Sequence, residues 1–307
     1  MRTKQQLTED IRRERRAVLV VNAKSRRGRQ FYEDAHERLL KAGFKLLGAY
    51  AVERDLEQSL QQAIDLGPDL LVAGGGDGTI STAGRMLAHR DMALGLLPLG
   101  TTNNFARTVG IPPDLDTAVT TMTEGLVIDV DLGIAGDMPF TNHVGIGLSA
   151  EVMTSVPSGL KKRLGRLAYP ITALGLMARH RPLRATVRAD GREIVFSTHQ
   201  VYVANGGFHA GRPITADAHA DDRLLVAYPV GGSTRLELLR ETARNALTGH
   251  RRTLHERPFL AVNELWLETD RPAAVEVDGE PCGQTPLRIA LDANALRIMA
   301  PPGTPDH

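Results

Sequence analysis

Residues 70 to 84 read LLVAGGGDGTISTAG. An apolar run stops at three glycines, one aspartate and a fourth glycine follow, and Thr79 opens a segment of helical pattern. Glycine at positions Gly74, Gly75, Gly76 and Gly78 lets the backbone take φ > 0 and removes side chains that would hold its N–H groups away from a ligand. A helix starting near Thr79 adds unsatisfied amides and the positive end of its dipole. The stretch therefore predicts a strand, a bare turn and a helix that together cradle a di- or triphosphate. Asp77 repels phosphate, so its place in the turn suits holding a hydroxyl, a magnesium ion or a neighbouring amide. A plain connecting turn does not need so many bare residues, which weaken a fold unless something must approach the backbone closely. The spacing is neither G-x-x-x-x-G-K-[ST] nor G-x-G-x-x-G, so neither common nucleotide motif applies.

The pattern repeats on both sides of this stretch. AVLVVN (17 to 22) is an apolar strand running into the basic loop NAKSRRG, and a helical pattern follows from about Gln30 to Lys41. KLLGAYAV is strand-like, LEQSLQQAIDLG helical, ISTAGRMLAHR helical, and MALGLLPLG another strand. Such alternation predicts an α/β domain with a parallel sheet whose ligands sit beyond the carboxyl ends of the strands. After about Asp131 the texture changes. LRATVRAD, EIVFSTHQVYVANGG, RLLVAYPV, ELWLETD and AAVEVDG alternate apolar and polar residues between turn signals, which predicts a β-rich, antiparallel, sandwich-like second domain. Two helical patterns interrupt it, SGLKKRLGRLAYPITALGLMARH and TRLELLRETARNAL. The expected division is residues 1–134 as a nucleotide-binding domain, to which 293–307 returns, and 135–292 as the second domain.

Charge is nearly balanced, Lys+Arg 37 against Asp+Glu 36 for a formal +1, which gives no global electrostatic case for nucleic acid. The first sixteen residues mix charges and lack an apolar core, so neither a signal peptide nor a membrane span is expected there. Cys282 is the only cysteine, which excludes an internal disulfide and fits a reducing cytoplasm. It is expected to be a packed thiol.

A second bare turn, LPLGTTNNFART (97 to 108), again puts glycine and hydroxyls after an apolar strand. Taken in order with GGGDGT, NAKSRRG, KKRLGRLAY (161 to 169) and VEVDGEP (275 to 281), it resembles a lipid-kinase family. That family includes soluble bacterial diacylglycerol kinases and the catalytic domains of eukaryotic diacylglycerol and sphingosine kinases. The resemblance runs from about residue 17 to 301. It implies a nucleotide domain and a β-rich second domain with the active site between them, and transfer of the γ-phosphoryl of ATP to a lipid hydroxyl with Mg2+. It places Asn22, Lys24 and Ser25 along the nucleotide and Gly75, Gly76, Asp77, Gly78 and Thr79 around its phosphates. Thr101 and Asn103 complete the pocket, and Arg107 is a candidate for phosphate charge that reads equally well as a solvated helical arginine.

The family's DGE falls on Asp278, Gly279 and Glu280. A primary alcohol near neutral pH needs an acceptor for its proton as the P–O bond forms, and a carboxylate in a cleft can serve. In an extended segment residues i and i+2 share a face, so both carboxylates could meet one spot, with Glu280 favoured as acceptor. The alternative for D-G is a hairpin turn. GRPITADAHADDRLL (211 to 225) resembles the family's structural-metal stretch, with Asp222 supplying a carboxylate and His219 and Leu224 main-chain oxygens, or else it is a charged turn. Three departures stand out: Ala23 where the family has proline, Ser81 and Thr82 where it has asparagine and glutamate, and Asn104 where it has aspartate. A neutral Asn104 cannot carry that aspartate's charge to a magnesium network.

Lys161, Lys162, Arg163 and Arg166 precede a long apolar stretch, a pattern that suits either a helix resting on an anionic membrane or a core helix with a solvated end. A lipid substrate at a membrane surface is the expected partner, for a cytoplasmic protein with peripheral attachment. Two rival readings are an NAD kinase, which shares GGDGT but not the other motifs, and a nucleotide- or lipid-binding protein without catalysis.

Overall fold

The computed structural model of the chain describes residues 1–24, 27–156, 168–177, 179–205, 208–209, 212–213, 223–234, 236–238, 240 and 260–304. Among these the chain forms two compact units. One holds Met1–Leu132 with Asp292–His307, the other Gly133–Leu291 in the main.

The first unit is built on parallel strands β1 (Arg16–Asn22), β2 (Lys45–Val52), β3 (Leu70–Gly75) and β4 (Ala93–Pro98), ordered β2-β1-β3-β4. β3 and β4 are buried along their whole length, as strands covered on both faces must be. Helices α2 (Gly28–Lys41), α3 (Leu56–Asp65), α4 (Asp77–Leu87), the short α5 (Asn104–Thr108) and α6 (Leu115–Glu124) follow the strands; α2 packs against α6, and α3 against α4. Residues 292–300, the later part of a long final strand, run parallel beside β4 with Ile298 opposite Leu94.

The charged N-terminal segment, read from sequence as having no apolar core, is helix α1 (Lys4–Glu14). Thr3 and Gln6 form a capping box at its start, and Leu7 and Ile11, one turn apart, bury completely in the first core. Two apolar residues on one face suffice because Arg2 anchors the end. Its guanidinium lies 2.7 Å from Asp69, 3.1 Å from Asp10 and 3.1 Å from Asp91. Asp69 is 6% exposed, so removing Arg2 strands a buried carboxylate. Arg2→Ala is expected to destabilise the fold by about 2–3 kcal/mol in thermal unfolding. Burial would raise the Asp91 pKa, but the Arg2 amide and guanidinium and the charge of Arg297 outweigh it and hold the carboxyl below its ordinary value. A depressed carboxylate stabilises above its unfolded pKa, so this contribution is present above about pH 4 and lost as pH falls below it. Arg2→Ala should therefore flatten the acid limb of the parent's stability profile.

The second unit contains β6 (Met138–Phe140), which pairs with the end of β5 (Leu126–Ala135), then β7 (His143–Gly147), α7 (Leu148–Ser155) and α8 (Ala168–Met177). There follow β8 (Leu183–Ala189), β9 (Arg192–Thr198), β10 (Gln200–Asn205), the two-residue pair β11 (Phe208–His209) and β12 (Arg212–Pro213), and β13 (Leu225–Val230). The last are β14 (Leu260–Val262), β15 (Glu264–Thr269), β16 (Ala274–Val277), β17 (Glu280–Gln284) and β18 (Leu287–Ala300). One antiparallel sheet runs β14-β13-β10-β7-β16-β17. β9, β8 and β15 pair in turn, and β15 pairs with the first residues of β18. Val144, Val203 and Val275 of the first sheet share one core with Val187, Leu267 and Ile289 of the second, which makes a sandwich. Cys282 packs against the edge of this core. The basic residues Lys161, Lys162, Arg163 and Arg166, and most of TRLELLRETARNAL, lie outside the described residues.

Candidate active site

Parallel pairing brings three strand ends side by side in the first unit, with Val21 opposite Gly74 and Gly75 opposite Pro98. Asn22, the glycine bend and the LGTTNN turn are therefore neighbours. Asn22 donates to the Thr79 hydroxyl (3.0 Å), and its own oxygen accepts the Lys24 amide (3.2 Å). Leu99 donates its amide to the Gly75 carbonyl (2.9 Å). Asp77 ties the two bends together: one carboxylate oxygen accepts from the Thr102 hydroxyl (2.7 Å), the other from the Phe105 amide (3.3 Å). Of the three partners open to Asp77 in the sequence, the described contacts are a hydroxyl and an amide.

Asn103 braces the second turn from inside. It sits at φ 48°, accepts the Gly100 amide (2.9 Å) and donates to the carbonyls of Pro98 (3.2 Å) and Gly100 (3.0 Å). Arg107 donates to the Thr102 carbonyl (2.9 Å). Lys24 and Thr101 are exposed beside these turns, and Ser25 lies outside the described residues.

The glycines divide into two kinds. A Cβ on Gly100 would stand 2.5 Å from the Gly76 Cα, and one on Gly75 would stand 2.4 Å from the Thr79 hydroxyl, so these two are required by the packing of the turns themselves. A Cβ on Gly74 would crowd Val21. Gly78 is different, because a Cβ there would meet nothing within 4 Å. It lies in the first turn of α4, whose N-cap is Gly76 and which has no side-chain cap. The amides of Thr79 and Ile80 reach back to the Gly76 carbonyl, whereas those of Asp77 and Gly78 have no acceptor within the helix. An uncapped helix start beside open space is a ready anion site. Gly78→Ala should stabilise the fold by about 0.5–1 kcal/mol, as removing a helical glycine does, while lowering nucleotide affinity by an order of magnitude or so through blocked approach. Thermal unfolding and titration calorimetry check the two halves separately.

In the second unit the DGE segment is not extended. Val277 pairs with Glu280 across a two-residue turn in which Asp278 and Gly279 both have positive φ, 47° and 88°. This is the hairpin arrangement that D-G favours, and it corrects the expectation of two carboxylates sharing a strand face. The Asp278 carboxylate turns back instead. It accepts the Thr141 amide (2.8 Å) and hydroxyl (3.1 Å), the Asn142 amide (3.0 Å) and the His143 amide (2.9 Å). Glu280 opens β17 as an exposed side chain. The sequence reading passed over Glu276, which is 2% exposed and lies 3.3 Å from the His143 ring. V-E-V reads as a strand with one wet face, but α7 packs over that face and buries it. Burial and then the Glu276 charge push the nearby Tyr202 phenol upward, so it stays neutral.

Among the described residues the donors form no protein cage for a metal. No group of three His, Cys, Asp or Glu among them could hold an ion, both Asp77 oxygens are hydrogen-bonded, and Asn104 is neutral. Of the structural-metal set inferred from sequence, His219 and Asp222 lie outside the described residues, and Leu224 is 37% exposed.

Comparison with known proteins accords with this geometry. The diacylglycerol kinase catalytic domain profile matches residues 16–135, and the YegS C-terminal NAD kinase beta sandwich-like domain matches 142–300. A protein of Klebsiella pneumoniae named "Probable lipid kinase YegS-like" is 30% identical over 258 residues, covering 82% of this chain and 84% of that one. The chain belongs to the YegS-like lipid kinase family. A protein of the same printed name from Xanthomonas oryzae is 32% identical over 271 residues, covering 82% of this chain and 85% of that one. A diacylglycerol kinase from Bacillus anthracis has the same fold in its crystal structure, with TM-score 0.74 at 24% identity over 94% of this chain and 98% of that one. As a member of this family the chain is a lipid kinase by class. Among the described residues no helix is long and apolar enough to cross a membrane.

Proposed function

We propose that the chain transfers the γ-phosphoryl group of ATP to the hydroxyl of a lipid of diacylglycerol or sphingoid type, presented at a membrane surface. Residues 1–134 with 293–307 serve as the nucleotide domain and 135–292 as the lipid domain. The observation that carries the reading is the uncapped start of α4 beside Gly78, locked to the second bend through Asp77 and Thr102. Polyphosphate oxygens meet the Asp77 and Gly78 amides there, with Lys24 and Thr101 at the rim and Asn22, Thr79, Asn103 and Arg107 holding the bends in shape. As the acceptor oxygen bonds to the γ-phosphorus, the bond from that phosphorus to the bridging oxygen breaks and ADP leaves. Glu280 takes the hydroxyl proton. Magnesium bound with the nucleotide would supply neutralisation of phosphate charge; no protein ligand is assigned to it.

The test is a panel of diacylglycerol, monoacylglycerol, sphingosine and NAD with labelled ATP and magnesium, the lipids offered in anionic vesicles. Label on a lipid supports the reading. Label on NAD alone, or nucleotide binding without turnover of any acceptor, sinks it.

A further inference from the structure

The exposed Glu280 follows a turn whose geometry is held by a buried carboxylate that the proposed reaction does not consume. Glu276 lies on β16 opposite Gly145 of β7, which in turn lies opposite Tyr202 of β10, so the three share one sheet face. One Glu276 oxygen accepts the Gly279 amide at 2.8 Å, and the other lies 3.3 Å from His143 Nε2. The His143 main chain exchanges hydrogen bonds with Asp278 in both directions, at 2.9 Å each. Its ring stands edge-on to Tyr202, with centroids 5.5 Å apart at 69°. Space for the carboxylate comes from Gly145, where a Cβ would fall 2.3 Å from Glu276 Oε1 and 2.5 Å from the Ser149 hydroxyl. A buried carboxylate is stable only when paired and hydrogen-bonded, and this one directs its bonds at Gly279, the residue before Glu280, and at the strand that holds Asp278.

We propose that Glu276, with His143, is a positioning residue for catalysis: it fixes the Gly279 peptide and so the direction from which Glu280 meets the acceptor hydroxyl. The inference rests on the reading of Glu280 as proton acceptor. Removing one partner of a buried hydrogen-bonded pair leaves the other unsatisfied and costs stability, so unfolding is measured beside the rate and the conservative E276Q separates positioning from folding. E276M removes the acceptor of the Gly279 amide and keeps the volume; E276Q keeps an oxygen for that amide. Small misplacements of a reacting group cost on the order of 100-fold in rate.

The experiment compares steady-state kinetics, thermal unfolding and Gly279 amide hydrogen exchange for the full-length parent, E276M and E276Q. E276M should unfold below the parent's temperature while remaining folded under assay conditions, lose about 100-fold in kcat with KM for ATP little changed, and exchange its Gly279 amide rapidly. E276Q should recover most of the rate and the protection. If E276M does not fold, G145A, which drives a methyl against Glu276, is measured the same way. Parent-like kcat in E276M or G145A, a Gly279 amide protected without Glu276, or E276Q as slow as E276M overturns the inference. An inactive parent overturns the kinase reading and with it the catalytic role; the exchange arm, which needs no substrate, then still decides whether Glu276 fixes the Gly279 peptide.

Discussion

Glu280→Gln is expected to leave the fold and nucleotide binding intact and, on the proposed role of Glu280, to lower lipid phosphorylation by about 10²–10⁴-fold, the range that a positioned general base supplies. The side chain is exposed at the first residue of β17, and the change to an amide is isosteric. Glutamine keeps the shape and loses the ability to take a proton. The loss belongs in kcat, with KM for ATP unchanged, because the nucleotide contacts assigned to Asp77 and Gly78 are main-chain amides far along the sequence from Glu280. Turnover of E280Q at the parent's rate in the labelled-ATP assay would remove Glu280 from the chemistry.

Asp278→Ala is expected to behave in the opposite way, with loss of stability accompanying loss of rate. Its carboxylate accepts three backbone amides and one hydroxyl from residues 141 to 143, and alanine leaves all four donors without that acceptor. Asp278 also sits at φ 47°, a conformation that aspartate and asparagine tolerate better than alanine. With each unsatisfied donor worth about 1–3 kcal/mol and water able to reach this partly exposed site, the expected loss is about 3–4 kcal/mol. Asp278→Asn keeps one acceptor oxygen and the tolerance for positive φ, so it should fall between the parent and D278A. Thermal or urea unfolding of the two variants beside E280Q checks the order. A D278A protein as stable as the parent would show that the turn does not depend on this carboxylate.

The pair illustrates how far local pattern reaches. Apolar strands ending in GGGDGT and in GTTNN mark the ligand end of a parallel sheet, because glycine placement and strand periodicity are properties of a few consecutive residues. Even there, the division of labour among the glycines was closed to the sequence: Gly75 and Gly100 are bare to let two bends touch, whereas Gly78 is bare toward open space. The same limit applies to α1. Its mixed charges hide a helix because its stability comes from Arg2 meeting Asp69 and Asp91, 67 and 89 positions away.

By itself the sequence determined the strand–helix alternation from residue 17 to about 99, the change of texture near residue 131 and the two bare turns, since each follows from short-range spacing. Only the tertiary structure decided what each acidic group of VEVDGE does. Asp278 finds its donors 135 to 137 positions earlier, and Glu276 is buried because α7 covers its strand. A carboxylate's role depends on which donors and how much water surround it, and those neighbours come from chain segments whose meeting only folding sets.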